Sequence, residues 1–103
     1  MSIRERIPVH PGEILAEDVL AELAMNANQV AEALGVPANR ISEILRGRRS
    51  ITADTALRLG RWLGSSPQFW MNLQHAYDLE VAEAEHGEEI RNRVKPLHDH
   101  GVA

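Results

Sequence analysis

Polar and basic side chains suited to molecular recognition are concentrated between Ala38 and Arg49. Ile41, Ile44 and Leu45 have the spacing of a buried helix face, so the residues between them should point outward. Outward amide, hydroxyl, carboxylate and guanidinium groups form hydrogen bonds with base edges and phosphates. The pattern therefore predicts non-covalent recognition of DNA. The candidate residues in this segment are Ala38, Asn39, Arg40, Ser42, Glu43, Arg46, Arg48 and Arg49.

These candidates differ in the part of DNA that they can contact. The first turns of a recognition helix point into the major groove, so base contacts are expected there. Asn39 can pair with adenine, and Glu43 can accept from a cytosine amino group. Ser42 can form hydrogen bonds with several bases, and Ala38 can contact a thymine methyl group. The four arginines lie at the flanks or past the helix end, where phosphate contacts are expected, and Arg48 and Arg49 can alternatively reach a groove edge.

Two short amphipathic helices around a tight turn must position these side chains. Ala31 supplies the small residue where the helices cross, and Gly35 accepts the positive φ that the turn requires. Pro37 suits the start of the following helix, where its missing N–H costs nothing. This is the pattern of a helix-turn-helix unit. Asn28 and Gln29, at the start of its first helix, are predicted to hold a phosphate.

Periodicity and cap residues predict five helices and no strand, an all-α fold with a longer C-terminal helix. Asn26, Thr52 and Ser66 are the predicted N-caps of the second, fourth and fifth helices. The fifth helix is expected to end at Glu85 or His86, ahead of Gly87, and the sequence also allows a separate short helical piece from Glu88 to Val94. We predict three segments: an N-terminal arm over 1–10, a helix-turn-helix DNA-binding domain over 11–86 that includes the dimerising fifth helix, and an acidic, loose C-terminal tail over 87–103.

Charge along the chain is strongly polarised although the net charge is −4. Residues 38–61 carry six arginines against two acidic residues, whereas the chain from Ser65 onward carries three basic and seven acidic residues. A basic face is what phosphate contacts require, whatever the total charge. The alternative is that these arginines only solvate helix ends.

Composition argues against several other classes of protein. The 103 residues suit one domain, and the absence of cysteine excludes disulfides and thiolate metal sites. No run approaches the length of a membrane span, and no signal peptide is recognisable, so a cytoplasmic protein without membrane contact is expected. The five histidines show no paired metal-ligand spacing. We expect no catalysis, metal or cofactor.

Large side chains at the start of the fifth helix suggest a second interaction surface. Three of the four aromatic residues lie in this helix. We predict that part of its face packs against a second copy, through Phe69, Trp70, Leu73 and Tyr77, and that the homodimer reads two half-sites. The alternative is that these residues close the core of a single protomer.

The chain resembles the HigA family of antitoxins, which carry a helix-turn-helix of the phage-repressor (XRE) type. The resemblance covers nearly everything from Pro8 to about Glu85. It is carried by four blocks: HPGEIL from His10, ALGVPANRISEIL from Ala33, ITADTALRLGRWLG from Ile51 and SPQFWMNLQHAYDL from Ser66. It implies a five-helix, phage-repressor-like domain that binds and neutralises a cognate toxin similar to RelE-type mRNA endonucleases. It also implies repression of the protein's own operon through double-stranded operator DNA.

One departure from the family pattern affects the expected DNA contacts. The repressor module often has glutamine at the first position of both helices of the motif, where this chain has Ala27 and Ala38. Adenine recognition by glutamine is therefore not expected, and base recognition is expected instead from Asn39 and the arginines. Two alternatives to the antitoxin remain: a free-standing repressor whose partners are DNA and itself, and a protein-binding module that uses the helix-turn-helix as a scaffold.

Overall fold

The structure, a computed structural model, describes residues 8–98, and in that range it contains five helices and no strand. The first helix, α1, spans 11–23, with an α-helical turn, a π-helical segment at Leu15–Leu20 and a last α-helical turn. The others are α2 (Ala27–Leu34), α3 (Ala38–Leu45), α4 (Ala53–Leu63) and α5 (Pro67–Arg93). The prediction of an all-α helix-turn-helix fold with a longer last helix is confirmed.

The predicted helix starts are formed by side-chain caps. Asn26 accepts from the backbone N–H of Gln29 at 2.9 Å, and the Gln29 side chain accepts in return from the Asn26 N–H. Thr52 and Ser66 accept from N–H groups in the first turns of α4 and α5. Each cap satisfies a donor that the helix itself leaves unpaired. Pro37 differs slightly from its prediction, because it precedes α3 as the N-cap residue.

All five helices contribute apolar side chains to one core. Leu15 of α1, Val30 of α2, Ile41 of α3 and Leu59 of α4 have no exposed surface, and Trp70 of α5 is only 2% exposed. Ile51, which is also buried, brings the segment between α3 and α4 into the same core. Burial of this apolar surface holds the helix-turn-helix against α1 and α5.

The fifth helix is longer than predicted, because it continues through Gly87 to Arg93. The expected end at Glu85 or His86 is therefore wrong. Glycine costs about 1 kcal/mol in a helix interior relative to alanine, which is too little to stop a run of strong helix formers. The extension also places Arg91 and Arg93 in the last turn, where positive charge interacts favourably with the helix dipole.

The end of α5 extends beyond the bundle. Residues 82–98 are exposed apart from Gly87, and the chain measures 54 Å along its longest axis against 26 and 23 Å along the others. Part of the expected loose tail is thus a regular helix, and residues 99–103 lie outside the described range, as does most of the predicted arm. None of the helices between residues 8 and 98 has the length and apolar composition needed to cross a membrane.

Candidate nucleic-acid interface

The turn between α2 and α3 has the backbone that the sequence predicted. Gly35 has a φ of 72°, in the left-handed region that favours glycine. Its N–H and that of Val36 bond back to carbonyls of the last turn of α2, including Ala31 at 3.0 Å from the Val36 nitrogen. Ala31 itself is buried at 2% exposure. These contacts fix the direction in which α3 leaves α2.

The inward and outward faces of α3 are cleanly separated. Ile41 and Ile44 are fully buried, whereas Ala38 and Asn39 are exposed at the start of the helix. The hydroxyl of Ser42 donates to the Asn39 carbonyl at 3.3 Å and keeps its lone pairs free to accept. The predicted base-contact residues therefore lie together on the side of α3 that faces away from the core.

A network of ion pairs joins the outer face of α3 to α4. Arg40 Nη1 lies 2.6 Å from Asp54 Oδ2, and Arg58 Nε lies 2.9 Å from the same oxygen. Arg58 also donates to the backbone carbonyl of Leu34 at 2.9 Å, which satisfies an acceptor at the C-terminal end of α2. The hydrogen bonds from Arg58 and Arg40 lower the pKa of Asp54.

A second ion pair lies at the C-terminal end of α3. The guanidinium of Arg49 approaches one carboxylate oxygen of Glu43, at 2.7 Å through Nη2 and 2.9 Å through Nε. Arg46 and Arg48 are exposed beside this pair. The predicted arginines therefore flank the outer face of α3, and two of them are already paired with carboxylates.

The predicted phosphate-binding residues of α2 are both exposed. Asn28 lies in the first turn, where backbone N–H groups point out of the helix. The carbonyl oxygen of the Gln29 side chain is used by the capping box, so only its amide NH2 is available for a phosphate. The sequence prediction had not taken this second use of Gln29 into account.

The C-terminal end of α3 rests on the first residues of α1. Gly12 packs so closely against the backbone of Ile44 that a Cβ atom at this position would collide with the Ile44 carbonyl oxygen. His10 caps α1, because its Nδ1 accepts from the Gly12 N–H at 2.9 Å. This packing indicates that the His-Pro-Gly sequence has a structural role in supporting α3 and is not a catalytic or ligand-binding site.

The His10 ring lies between α1 and α5. It meets the Tyr77 ring edge to face, with 4.8 Å between the ring centroids. Burial lowers the pKa of His10, although Asp78, Glu13 and the backbone of Arg49 act in the opposite direction. The imidazole is therefore held in its neutral form, which is the form that can accept from Gly12.

Gln74 of α5 fixes the segment that follows the recognition helix. Its side-chain oxygen accepts from the buried N–H of Ile51 at 2.8 Å, and its NH2 donates to Asp78 at 2.9 Å. Gln74 is 2% exposed, so this bond forms away from water. The contact keeps the arginine-containing segment before Ile51 in one position relative to α5.

The four residues predicted to form a dimer interface do not share one surface. Trp70 is buried in the protomer core at 2% exposure, so it has no face to offer a second copy. Phe69 is 47% exposed, while Leu73 and Tyr77 are half-buried. The alternative reading, that the aromatic residues close the protomer core, holds for Trp70. The other three remain candidates.

Sequence reasoning missed the connecting role of Asp54 and Arg58. They are four residues apart, the spacing at which opposite charges meet on a helix, and this signal was available. The ion pair between Asp54 and Arg40 joins two helices, and no local pattern in the sequence predicts it. The same holds for the bond from Ile51 to Gln74.

Comparison with known proteins gives consistent results. A helix-turn-helix family (HTH_3) matches residues 17–70. The chain is 39% identical over 93 residues to "Antitoxin HigA-1" of Vibrio cholerae, an alignment that covers 90% of this chain and 87% of that protein. A solved structure from Coxiella burnetii, "an addiction module antidote protein of a HigA (higA) family", is 52% identical with a TM-score of 0.85. It aligns with 88% of this chain and 99% of its own.

A second solved structure contains DNA. It is described as "Pseudomonas aeruginosa antitoxin HigA with higBA promoter" and is 45% identical to this chain, with a TM-score of 0.86. The alignment covers 88% of this chain and 99% of that one. The similarity in sequence and structure between this chain and these proteins therefore extends well beyond the helix-turn-helix itself.

Proposed function

Since this chain belongs to the HigA family of helix-turn-helix antitoxins, we propose that it binds operator DNA in its own promoter and represses its own operon. The residues proposed to contact DNA are those of the outer face of α3 and its flanks, together with the start of α2. They are Asn28, Gln29, Ala38, Asn39, Arg40, Ser42, Glu43, Arg46, Arg48 and Arg49. The proposed role is binding without catalysis, in the cytoplasm.

One observation carries the proposal: α3 exposes base-contact residues along a face that arginines flank, while Ile41 and Ile44 anchor its other face in the core. A helix held in this way fits the major groove with its first turns toward the bases. Its arginines then neutralise phosphates on either side. The likeness to a HigA antitoxin described with its promoter supports the same assignment.

We further propose that the protein binds DNA as a homodimer through the start of α5. Phe69 exposes nearly half of its surface, and Leu73 and Tyr77 are accessible beside it. Two copies related by a two-fold axis would present their recognition helices to half-sites about 34–36 Å apart. A pseudo-palindromic operator is expected for this geometry.

The third part of the proposal is neutralisation of a toxin encoded beside this gene, of the RelE-like mRNA endonuclease type. Its support is family membership and charge. Between residues 78 and 89, α5 carries six acidic side chains and no lysine or arginine, whereas an RNA-handling enzyme needs positive charge at its active site. Opposite charge favours encounter between the two chains.

The DNA-binding part is tested by fluorescence anisotropy with a labelled duplex from the upstream region of the gene. We expect specific binding that resists competition by a scrambled duplex of the same composition. The logarithm of the affinity should fall linearly with the logarithm of salt concentration, by about 0.9 per phosphate neutralised. Equal affinity for both duplexes would contradict operator recognition, and no binding would favour the scaffold alternative.

The toxin part is tested by inducing the adjacent small reading frame with and without this protein. We expect growth arrest that co-expression relieves, with both chains purifying together. A harmless neighbour, or a toxic one that this protein neither rescues nor binds, would leave a free-standing repressor.

A further inference from the structure

Two arginines of the proposed DNA interface are restrained by carboxylates of the same chain. Asp54 holds Arg40 at 2.6 Å, and Glu43 holds Arg49 at 2.7 Å. The carboxylates are not hidden beneath the arginines, because the Asp54 side chain is 54% exposed and that of Glu43 is 39% exposed. A duplex that approaches α3 therefore meets ion pairs at both places instead of free guanidinium groups.

The restraint on Arg40 is tied to the backbone of the motif. The Asp54 oxygen that accepts from Arg40 also accepts from Arg58, and Arg58 donates to the carbonyl of Leu34. Arg40 is thus connected through two side chains to the C-terminal end of α2. The hydrogen bonds from Arg58 and Arg40 lower the pKa of Asp54, so its carboxylate, which is charged at neutral pH in any case, keeps its charge further into acidic conditions.

Such pairs act differently on specific and non-specific DNA binding. Non-specific affinity comes from net charge and counterion release, so each carboxylate beside an arginine reduces it. Binding at a cognate site depends instead on phosphate contacts in one register with the base contacts. A restrained arginine loses less conformational freedom when it makes such a contact, and it still has N–H donors that the carboxylate does not use.

We propose that Asp54 and Glu43 are specificity-determining residues, which restrain Arg40 and Arg49 and weaken binding to non-cognate DNA more than binding to the operator. The inference rests on the proposed DNA-binding function. The negative charge of these two residues disfavours binding to any DNA. The proposal gives them a role in discriminating the operator from other sequences.

The test compares wild type with Asp54→Asn and Glu43→Gln on two duplexes. One duplex is selected by the wild-type protein from a random pool, and the other is its scrambled counterpart. For each variant we expect about tenfold tighter binding to the scrambled duplex and a salt slope steeper by about 0.9 on that duplex. On the selected duplex, Asp54→Asn should bind less than about threefold tighter. Glu43→Gln should bind the selected duplex no tighter than wild type, because Glu43 is also a proposed base contact. The ratio of the two affinities should therefore fall.

Glu32→Gln is the matched control. It makes the same change in net charge on α2, where Glu32 is exposed and forms no ion pair with any residue between 8 and 98. We expect its affinity ratio to stay at the wild-type value. Thermal melts of all variants establish that they are folded.

Two results would overturn the inference while leaving DNA binding intact. An equal gain on both duplexes would mean that the carboxylates only repel phosphates, and unchanged affinities would mean that the ion pairs have no effect. A wild-type protein that binds no duplex at all would instead overturn the proposed function.

Discussion

The Nδ1 atom of His10 lies 2.9 Å from the backbone nitrogen of Gly12 and accepts its hydrogen bond. This bond caps α1 at the point where Gly12 touches the backbone of Ile44 in the recognition helix. A protonated imidazole has no acceptor at Nδ1, so the cap exists only in the neutral form. The acid–base state of one histidine is therefore coupled to the support of α3.

The first prediction follows from the lowered pKa of His10. The unfolded chain takes up a proton near the ordinary pKa of 6.5, whereas the folded chain takes it up only at lower pH. The stability that His10 contributes is thus complete above pH 6.5 and is lost as the pH falls through the folded pKa. Denaturant melts between pH 8 and 5 should show a steeper loss for wild type than for His10→Asn, since asparagine also caps a helix but does not titrate. Parallel curves would contradict the assignment.

Replacing Gly12 by alanine should destabilise the protein. The added methyl group meets the Ile44 carbonyl, and backbone atoms on both sides have little freedom to move apart. We expect a loss of about 1–3 kcal/mol in the free energy of unfolding, measured by urea titration.

Gly87→Ala is the control for this substitution. The three atoms nearest to its new methyl group all belong to the exposed side chain of Glu83, which can rotate away. Alanine is favoured over glycine by about 1 kcal/mol in a helix, so this variant should be as stable as wild type or more so. Equal losses for the two variants would show that the contact between α1 and α3 is not tight.

Gln74→Leu should weaken the fold although it makes a buried residue more apolar. The substitution leaves the N–H of Ile51 without an acceptor inside the protein. An unpaired buried donor costs about 1–3 kcal/mol, which should appear in the free energy of unfolding. Gln68→Ala is a suitable comparison, because Gln68 bonds to Asn72 on the surface, and a change within about 0.5 kcal/mol is expected there.

Phe69 and Trp70 are adjacent in sequence but should respond differently to substitution. Trp70→Ala removes a core side chain, and we expect a loss of about 3–5 kcal/mol in stability. Phe69→Ser should leave the protomer folded and shift sedimentation from dimer toward monomer. A dimer that is unchanged by the Phe69 substitution would contradict the proposed interface.

Substitutions of Asn39 and Arg46 should distinguish contacts with bases from contacts with phosphates. Asn39→Ala is expected to cost about 1–3 kcal/mol of operator affinity and to relax the base preference at one position. Arg46→Ala should weaken binding to all sequences and make the salt slope about 0.9 shallower. Anisotropy titrations on operator and scrambled duplexes distinguish the two effects. An Asn39 variant with unaltered operator binding would mean that another side chain reads the bases.

Local signals were sufficient to predict the helix-turn-helix from the sequence. The positive φ of Gly35 and the cap at Asn26 follow from residue type and immediate neighbours, so both appear in the structure as predicted. Gln74 and Asp54 lack such signals, because their partners lie on other helices and are brought near only by the fold. Trp70 shows a related limit: its size predicts burial, but it does not tell whether the core or a second copy buries it.

The extension of α5 past the bundle implies that the molecule does not open as a single unit. Residues 82–93 are exposed apart from Gly87, and isolated helices shorter than about 12–15 residues are marginal in water. Their amide hydrogens are protected by the hydrogen bonds of the helix itself, and the ion pair between Glu83 and Arg91 supports this stretch at the surface. The amide hydrogens at this end of α5 should therefore exchange with deuterium faster than those of the core helices. Exchange in the core helices requires global unfolding. A HigA-family protein built in this way combines a stable helix-turn-helix core with a C-terminal helical extension that opens readily.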